Sequence, residues 1–173
     1  GDNNDTPSTD GSDNKNEEND PNYELEFVYS EELQGYSVAG IKMNSTDGTF
    51  YDIVIPSTFR SVAVKGISQD AFKNNEYLRS IDVPEGVTTI GSSAFYYCRS
   101  LEKVKLPSTI SEIKDFEFYC CENLKDINLQ KGIREIQSHA FYGCTSLTQI
   151  NIPSSVVKIE SGAFLGCVEL IAI

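Results

Sequence analysis

Five phenylalanines stand at one fixed interval: Phe72, Phe95, Phe118, Phe141 and Phe164, each 23 residues after the last. A whole pattern moves with them. Leu78, Leu101, Leu124, Leu147 and Leu170 share the spacing, as do Ile81, Val104, Ile127, Ile150 and Ile173. So do Val64, Val87, Ile110, Ile133 and Val156, and Ile67, Ile90, Ile113, Ile136 and Ile159. A constant period of this length predicts a solenoid, in which each unit buries its apolar face only against its neighbours. Such arrays present extended surfaces, so a binding role is expected before a catalytic one.

Residues 1–22 stand outside the pattern. They contain no large apolar side chain and carry seven acids against Lys15, half of the formal charge of −12. Such a stretch cannot bury enough apolar surface to offset its ordering entropy, so a disordered acidic tail is expected. It suits a tether to a lipid anchor upstream of residue 1, or else a terminus without a role. The remaining charge is only mildly acidic. Phosphate binding needs clustered Lys and Arg, so nucleic acid is not expected as a partner. No apolar run is long enough to span a bilayer as a helix.

Tyr23 to Ser30 alternates as a half-exposed strand, and Tyr36 to Met43 and Thr49 to Ile55 read as two more. Asp47-Gly48 between the last two is a hairpin signal. Residues 23–50 lie outside the 23-residue register and read as a β-hairpin capping the N-terminal end. Residues 51–173 read as five repeats and the start of a sixth, coiled right-handedly. The first repeat is longer than the rest by five residues around Ser57 to Ala63, which should bulge from one edge. Strands are expected at Ser80–Val83, Lys103–Leu106, Asp126–Leu129 and Gln149–Ile152, ended by Pro84, Pro107 and Pro153, with Gln130 in place of the fourth proline. Ser92, Asp115, Ser138 and Ser161, three residues before each phenylalanine, are placed to cap short helical or 3₁₀ turns through Ala-Phe.

The copy from Leu78 to Cys98 reads Leu-x-x-Ile-x-Val-Pro-x-x-Val-x-x-Ile-Gly-x-x-Ala-Phe-x-x-Cys. Length, proline, Ala-Phe and cysteine together resemble the leucine-rich repeats of the BspA-like class, with close copies over residues 51–173. The departures are Glu117 for alanine, Gln130 for proline and Asn75 for the first cysteine. The resemblance implies a secreted or lipid-anchored protein of the bacterial cell surface, non-catalytic, with adhesion to host matrix or surface proteins reported for some members. The ligand does not transfer, because it is chosen by exposed positions and not by the scaffold.

Cys98, Cys121, Cys144 and Cys167 form a ladder in the register of the core, and Cys120 is extra. They are expected as free thiols, since side chains in one ladder point in parallel and the short CxxC pairs of zinc sites are missing. Cys120 is expected to be the exposed one. His139 is the only histidine and aligns with Asp70, Ser93, Phe116 and Gly162, a position without a residue preference. No GxSxG, HExxH, Walker or GxGxxG pattern occurs, so neither catalysis nor a metal or cofactor is expected.

Two surfaces are candidate sites. On the strands, the outward residues Asp52, Val54, Ser80, Asp82, Lys103, Lys105, Asp126, Asn128, Gln149 and Asn151 make a polar ribbon of mixed charge. It is either a partner-binding face or an ordinary solvated one. After the repeat phenylalanines, Tyr96, Tyr119 and Tyr142, continued by Leu165 with Tyr97 and Phe116 nearby, make an aromatic row. The rings are either anchors for a protein or platforms for a sugar, or they lie over the next unit as partial core. Three roles remain open: an interaction module binding protein, a spacer that assembles through its ends, and an accessory glycan-binding protein. The apolar run Leu170 to Ile173 makes self-association through the C-terminal edge an expectation of the second.

Overall fold

The computed structural model describes residues 23–44 and 47–172. The acidic tail, the tip of the Asn44–Gly48 connection and Ile173 lie outside the described residues. Twelve strands are present among the described residues: β1 Tyr23–Ser30, β2 Gly35–Met43, β3 Tyr51–Val54, β4 Thr58–Phe59, β5 Val62–Ile67, β6 Leu78–Asp82, β7 Thr89–Ile90, β8 Lys103–Lys105, β9 Glu112–Ile113, β10 Asp126–Ile127, β11 Glu135–Ile136 and β12 Lys158–Ile159. No helix occurs among them.

The strands form two walls. In the first, β3, β6, β8 and β10 lie side by side, all parallel, with Ser80 opposite Lys103, Asp82 opposite Lys105 and Asp126 opposite Lys103. Alternation does the sorting: Tyr51, Ile53 and Ile55 are buried while Asp52 and Val54 face water. β6 starts two residues earlier than expected and ends one earlier, and the paired segments shorten along the array. β10 ends at Ile127, and the strand expected at Gln149–Ile152 is one bridge, Gln149 to Ala172. The chain must turn a corner within a few residues of each strand, so only the two or three residues on the flat of the wall keep ladder geometry.

The second wall holds β2, β5 and β7, then β9, β11 and β12, again parallel. It is discontinuous, since β7 and β9 do not pair. At its corner a Cβ on Gly91 would stand 2.2 Å from the Gln69 amide nitrogen, so this corner admits only glycine.

The third wall corrects the expectation of helical turns. Around each phenylalanine, alternate amides bond within the turn and across to the next repeat. Lys73 N–H donates to Asp70 O, whereas Phe72 and Asn74 N–H donate to Ala94 and Tyr96 O of the following unit. The same alternation recurs at Phe95, Phe118 and Phe141. A helix would consume all of these amides internally. Two left-handed residues per repeat prevent it, at Asp70, Ser93, Phe116, His139 and Gly162, and at Asn74, Tyr97, Cys120, Gly143 and Gly166, with φ between 54° and 81°. The main-chain carbonyls of Ser92, Asp115, Ser138 and Ser161 accept from the preceding repeat, so these residues link repeats and do not cap helices.

The N-terminal segment also differs from expectation. β1 and β2 form the hairpin, joined by the turn at Glu31–Gln34. Asp47-Gly48 instead carries the chain from one wall to another: β2 pairs in parallel with β5, and β3 with β6. The parallel register of the repeats overrides the local turn signal. The five extra residues fold into a hairpin of β4 and β5 with Arg60 and Ser61 left-handed at its tip. Phe59 lies on Phe27, ring centroids 4.2 Å apart, and edge-on to Tyr36. The insertion is therefore folded back onto the N-terminal hairpin and does not bulge freely.

The interior is the apolar pattern made physical. Phe72, Phe95, Phe118 and Phe141 are buried and stack face to face with centroids 5.2–5.4 Å apart, and half-buried Phe164 closes the column. All five cysteines are free. Each ladder thiol donates to the carbonyl of a phenylalanine in the preceding repeat: Cys98 to Phe72, Cys121 to Phe95, Cys144 to Phe118 and Cys167 to Phe141, at 3.0–3.2 Å. Cys120 is half-buried, less exposed than expected. Where Asn75 replaces the first cysteine, its side-chain oxygen accepts from the Tyr51 hydroxyl and from the amides of Tyr77 and Leu78.

Candidate functional site

The turn wall carries an aromatic ridge. Tyr96, Tyr119 and Tyr142 follow buried phenylalanines, so their side chains leave the wall outward one repeat apart. Their rings stack, 4.8 Å and 4.6 Å between centroids, tilted by only 11° and 7°. A second column runs beside it. Phe116 stacks on His139 at 5.4 Å, and these two lean on Tyr119 and Tyr142 respectively. Tyr97 leans on Tyr96 and Tyr119 from the other side. Six rings thus form one connected surface. Cations close its end and flank: the Lys73 ammonium sits 5.2 Å above Tyr96 and the Arg99 guanidinium 5.0 Å above Tyr97. Tyr96 and Tyr119 have both faces covered, whereas Tyr142 is stacked on one face only. The hydroxyls of Tyr96, Tyr119 and Tyr142 have no hydrogen-bond partner among the described residues. Burial against its neighbours holds the Tyr119 phenol above its ordinary value.

Several of these side chains sit where backbone geometry disfavours them. Tyr97, Phe116, Cys120 and His139 occupy left-handed positions, while the corresponding places at Gly143, Gly162 and Gly166 are glycine. A left-handed conformation costs a residue with a Cβ roughly 1–2 kcal/mol. Gly162 has a further reason: a Cβ there would meet the His139 ring at 2.7 Å.

The strand ribbon is different in kind. Its charges satisfy one another across the strands. Arg79 bonds both oxygens of Asp52, which also accepts from the Ser80 hydroxyl at 2.6 Å. Lys105 pairs with Asp82 at 2.8 Å and Lys103 with Asp126 at 3.1 Å. The Arg79 and Ser80 hydrogen bonds hold the Asp52 carboxyl below its usual range. Asn128, Gln149 and Asn151 are exposed beyond these pairs. The structure therefore brings Tyr96, Tyr119 and Tyr142 together as one surface and ties Ser80, Asp82, Lys103, Lys105 and Asp126 into a ladder of internal contacts. No group of three or more His, Cys, Asp or Glu placed to hold a metal occurs among the described residues. Nor is any helix long and apolar enough to cross a membrane.

Lys73, His139 and Arg99 lie outside the residues the sequence marks for the ridge; the repeat register is the signal for the first two and closeness in the chain for the third. Lys73 is the first-repeat counterpart of Tyr96. Phe116 and His139 share one repeat position, which is why they stack. Arg99 follows Tyr97 closely enough to cover its ring.

A model of the BspA type leucine-rich repeat region matches six copies over residues 46–171. The chain belongs to the BspA-type leucine-rich repeat family. Among solved structures it is similar to a leucine-rich cell surface protein of Faecalibacterium prausnitzii, at 32% identity and a TM-score of 0.76, over 87% of this chain and 37% of that one. A leucine-rich repeat protein of Bacteroides ovatus is similar at 28% identity and a TM-score of 0.77, over 86% and 39% of the two chains. A leucine-rich repeat protein of T. pallidum is similar at 27% identity and a TM-score of 0.76, over 84% and 66%. The chain thus spans between about a third and two thirds of the length of these relatives. No curated protein is significantly similar to it. In this BspA-type chain the relatives account for the scaffold.

Proposed function

We propose that this chain is a non-catalytic protein-interaction module of a bacterial surface or secreted protein, and that it binds through the Tyr96–Tyr119–Tyr142 ridge. The observation that carries the reading is a connected set of six rings, held partly on left-handed backbone. Tyrosine is a preferred anchor of protein interfaces because it buries a large body while keeping a polar tip. A sugar stacks on an open ring face. Here both faces of Tyr96 and Tyr119 are covered, by Lys73 and by the neighbouring rings, and one face of Tyr142 alone carries no stacked ring or cation among the described residues, which favours a protein partner over a glycan. A host matrix or surface protein is the class that fits the family, and the cell-surface relative supports an extracellular location. We read residues 1–22 as a tether, with a lipid anchor upstream as its proposed attachment, 23–50 as the cap and 51–173 as the array. The coil is read as right-handed, the hand that twisted strands impose on parallel crossovers.

One observation favours the second role, assembly through the C-terminal edge. Val157, Val168 and Ile171 are 74%, 76% and 84% exposed, at positions that Arg134, Thr145 and Thr148 hold one repeat earlier, an apolar patch that a second copy would cover. Light scattering of the chain against an Ile171→Lys variant tests it, and equal monomers at high concentration dismiss it.

The main test is a panel of immobilised matrix proteins, cell-surface proteins and glycans. It is probed with the chain, with Tyr96→Ala/Tyr119→Ala/Tyr142→Ala, and with Lys103→Ala/Lys105→Ala. The expected result is a protein ligand whose affinity drops at least tenfold in the triple variant and little in the double. The converse pattern would move the site to the strands, and a glycan ligand would replace the protein reading.

A further inference from the structure

Glu117 occupies the place that alanine fills at Ala71, Ala94, Ala140 and Ala163, and it is fully buried. One carboxyl oxygen, Oε2, accepts the Lys114 amide at 2.8 Å, and the other, Oε1, has no partner. That amide has a different task elsewhere in the array. The equivalent N–H groups of Gly91, Gln137 and Glu160 donate to Ile67, Ile113 and Ile136 of the preceding repeat, at 2.8–2.9 Å. Thr88, Arg134 and Val157 likewise donate to Lys65, Ser111 and Arg134. Among the described residues neither bond exists between the second and third repeats, where Lys114 would reach Ile90 and Ser111 would reach Thr88. This is the same place at which β7 and β9 fail to pair. The buried carboxyl has taken a donor from the second wall and opened it at one seam, while the strand wall and the turn wall remain bonded across.

We propose that the seam between the second and third repeats is a proton-controlled joint, held while the Glu117 carboxyl keeps its proton and loosened when that proton leaves to water. The groups around the carboxyl do little to hold a charge. On its own repeat are Lys114, whose ammonium is bound to Glu112 at 3.4 Å and to the Thr89 hydroxyl at 3.4 Å, Glu112 itself, and the Cys121 thiol. The repeats on either side oppose it with buried Ala94 and Ala140. A neutral carboxyl there lacks one hydrogen bond, whereas a carboxylate buries a charge without a counter-ion. Burial pushes its pKa up to about 8, against the lowering effect of the Lys114 amide and charge. Charging the group therefore destabilises the seam as pH rises toward that value. Tyr96 and Tyr119 stand on opposite sides of the joint, so opening it alters the pitch of the ridge. That consequence rests on the function proposed above, whereas the joint itself does not.

The experiment is native-state amide exchange of the chain from pH 5 to 9, corrected for intrinsic rates. It follows the amides of Val83, Ser93, Phe95, Tyr97 and Glu102, which cross this seam, with those of Arg134 and Gln137, which cross the next one, as control. One proton sets the expected slope. Opening at the seam rises about tenfold per pH unit and levels off once the carboxyl is ionised, while the control stays flat. Glu117→Gln removes the slope and keeps the open wall. Glu117→Ala removes the slope and raises protection of the Lys114 amide, which is returned to Ile90. A seam that tracks the control in the parent chain, or a Glu117 carboxyl carbon signal that titrates between pH 4 and 5, overturns the proposal. Because no partner is present, failure here leaves the binding reading intact, and a binding failure leaves the joint intact.

Discussion

Truncating one ring in the middle of the phenylalanine column tests the central physical claim, that stability is carried from repeat to repeat. Phe118 is fully buried and stacked on both sides, 5.2 Å from Phe95 and 5.3 Å from Phe141. Removing a buried phenylalanine side chain costs about 3–5 kcal/mol through lost transfer energy and the cavity left behind. Each stacked pair adds about 0.5–1.5 kcal/mol beyond its area. Two such pairs put Phe118→Ala at the upper end of the range, about 5 kcal/mol. Phe164 offers the internal control, being half-buried and stacked only on Phe141. Phe164→Ala should cost roughly half as much. Phe118→Leu keeps most of the apolar volume and should cost only about 1–2 kcal/mol, chiefly the two lost ring pairs. Urea melts with shared m-values measure all three. A central substitution costing under about 1 kcal/mol, or equal costs at 118 and 164, would refute nearest-neighbour coupling through the rings.

Native alkylation at pH 8 should modify Cys120 and Cys167 and spare Cys98, Cys121 and Cys144. Burial holds the Cys98 thiol up at about 12 and raises Cys121, and the hydrogen bond between Cys144 and Cys167 raises the first and lowers the second; burial raises Cys120 too, so Cys167 should react faster. Unfolded without reductant, the chain should titrate as five thiols, and any mass loss matching a bridge would contradict this. Asn75→Ala should cost about 2–3 kcal/mol in the same melts, because three donors lose their shared acceptor. Asn75→Asp keeps that acceptor and should cost clearly less.

The period of 23 made the buried columns legible at once, because an apolar side chain repeated in register has one place to go. Less was legible where one backbone signal competed with another. Asp47-Gly48 is a good hairpin dipeptide, yet the parallel pairing of β2 with β5 and β3 with β6 takes both strands to different walls. The turns through Ala-Phe resemble helix starts because Ser92, Asp115, Ser138 and Ser161 are good capping residues, while seven of the ten left-handed positions that break the helix are not glycine. Their conformation is imposed by cross-repeat hydrogen bonds, and composition does not show it. Glu117 was visible as a departure from alanine. Its consequence, an amide diverted from Ile90, depends on a rotamer and is not written in the register. At the ridge, the register that aligned His139 with Phe116 already held the stack, but a position with no residue preference does not reveal that two of its occupants are flat rings in contact.

The same position separates a binding surface from partial core. Phe116 is 37% exposed, with φ at 56°. If the ring served the core, deleting it would cost what Phe118 costs. As a surface group, its removal forfeits one stack with His139 and one tilted contact with Tyr119, about 1–2 kcal/mol. Glycine at this φ relieves about 1–2 kcal/mol of left-handed strain, against its larger loss of chain entropy, about 0.5–1 kcal/mol. These terms leave Phe116→Gly costing between about −0.5 and 2 kcal/mol, and Gly162 shows that the turn accepts glycine. Binding, in contrast, should weaken with the ring gone. Urea melts beside a binding isotherm give both numbers. A loss of 3 kcal/mol or more, roughly the cost of a buried phenylalanine, would show that the ridge is held for stability, and the left-handed aromatics would then need another explanation.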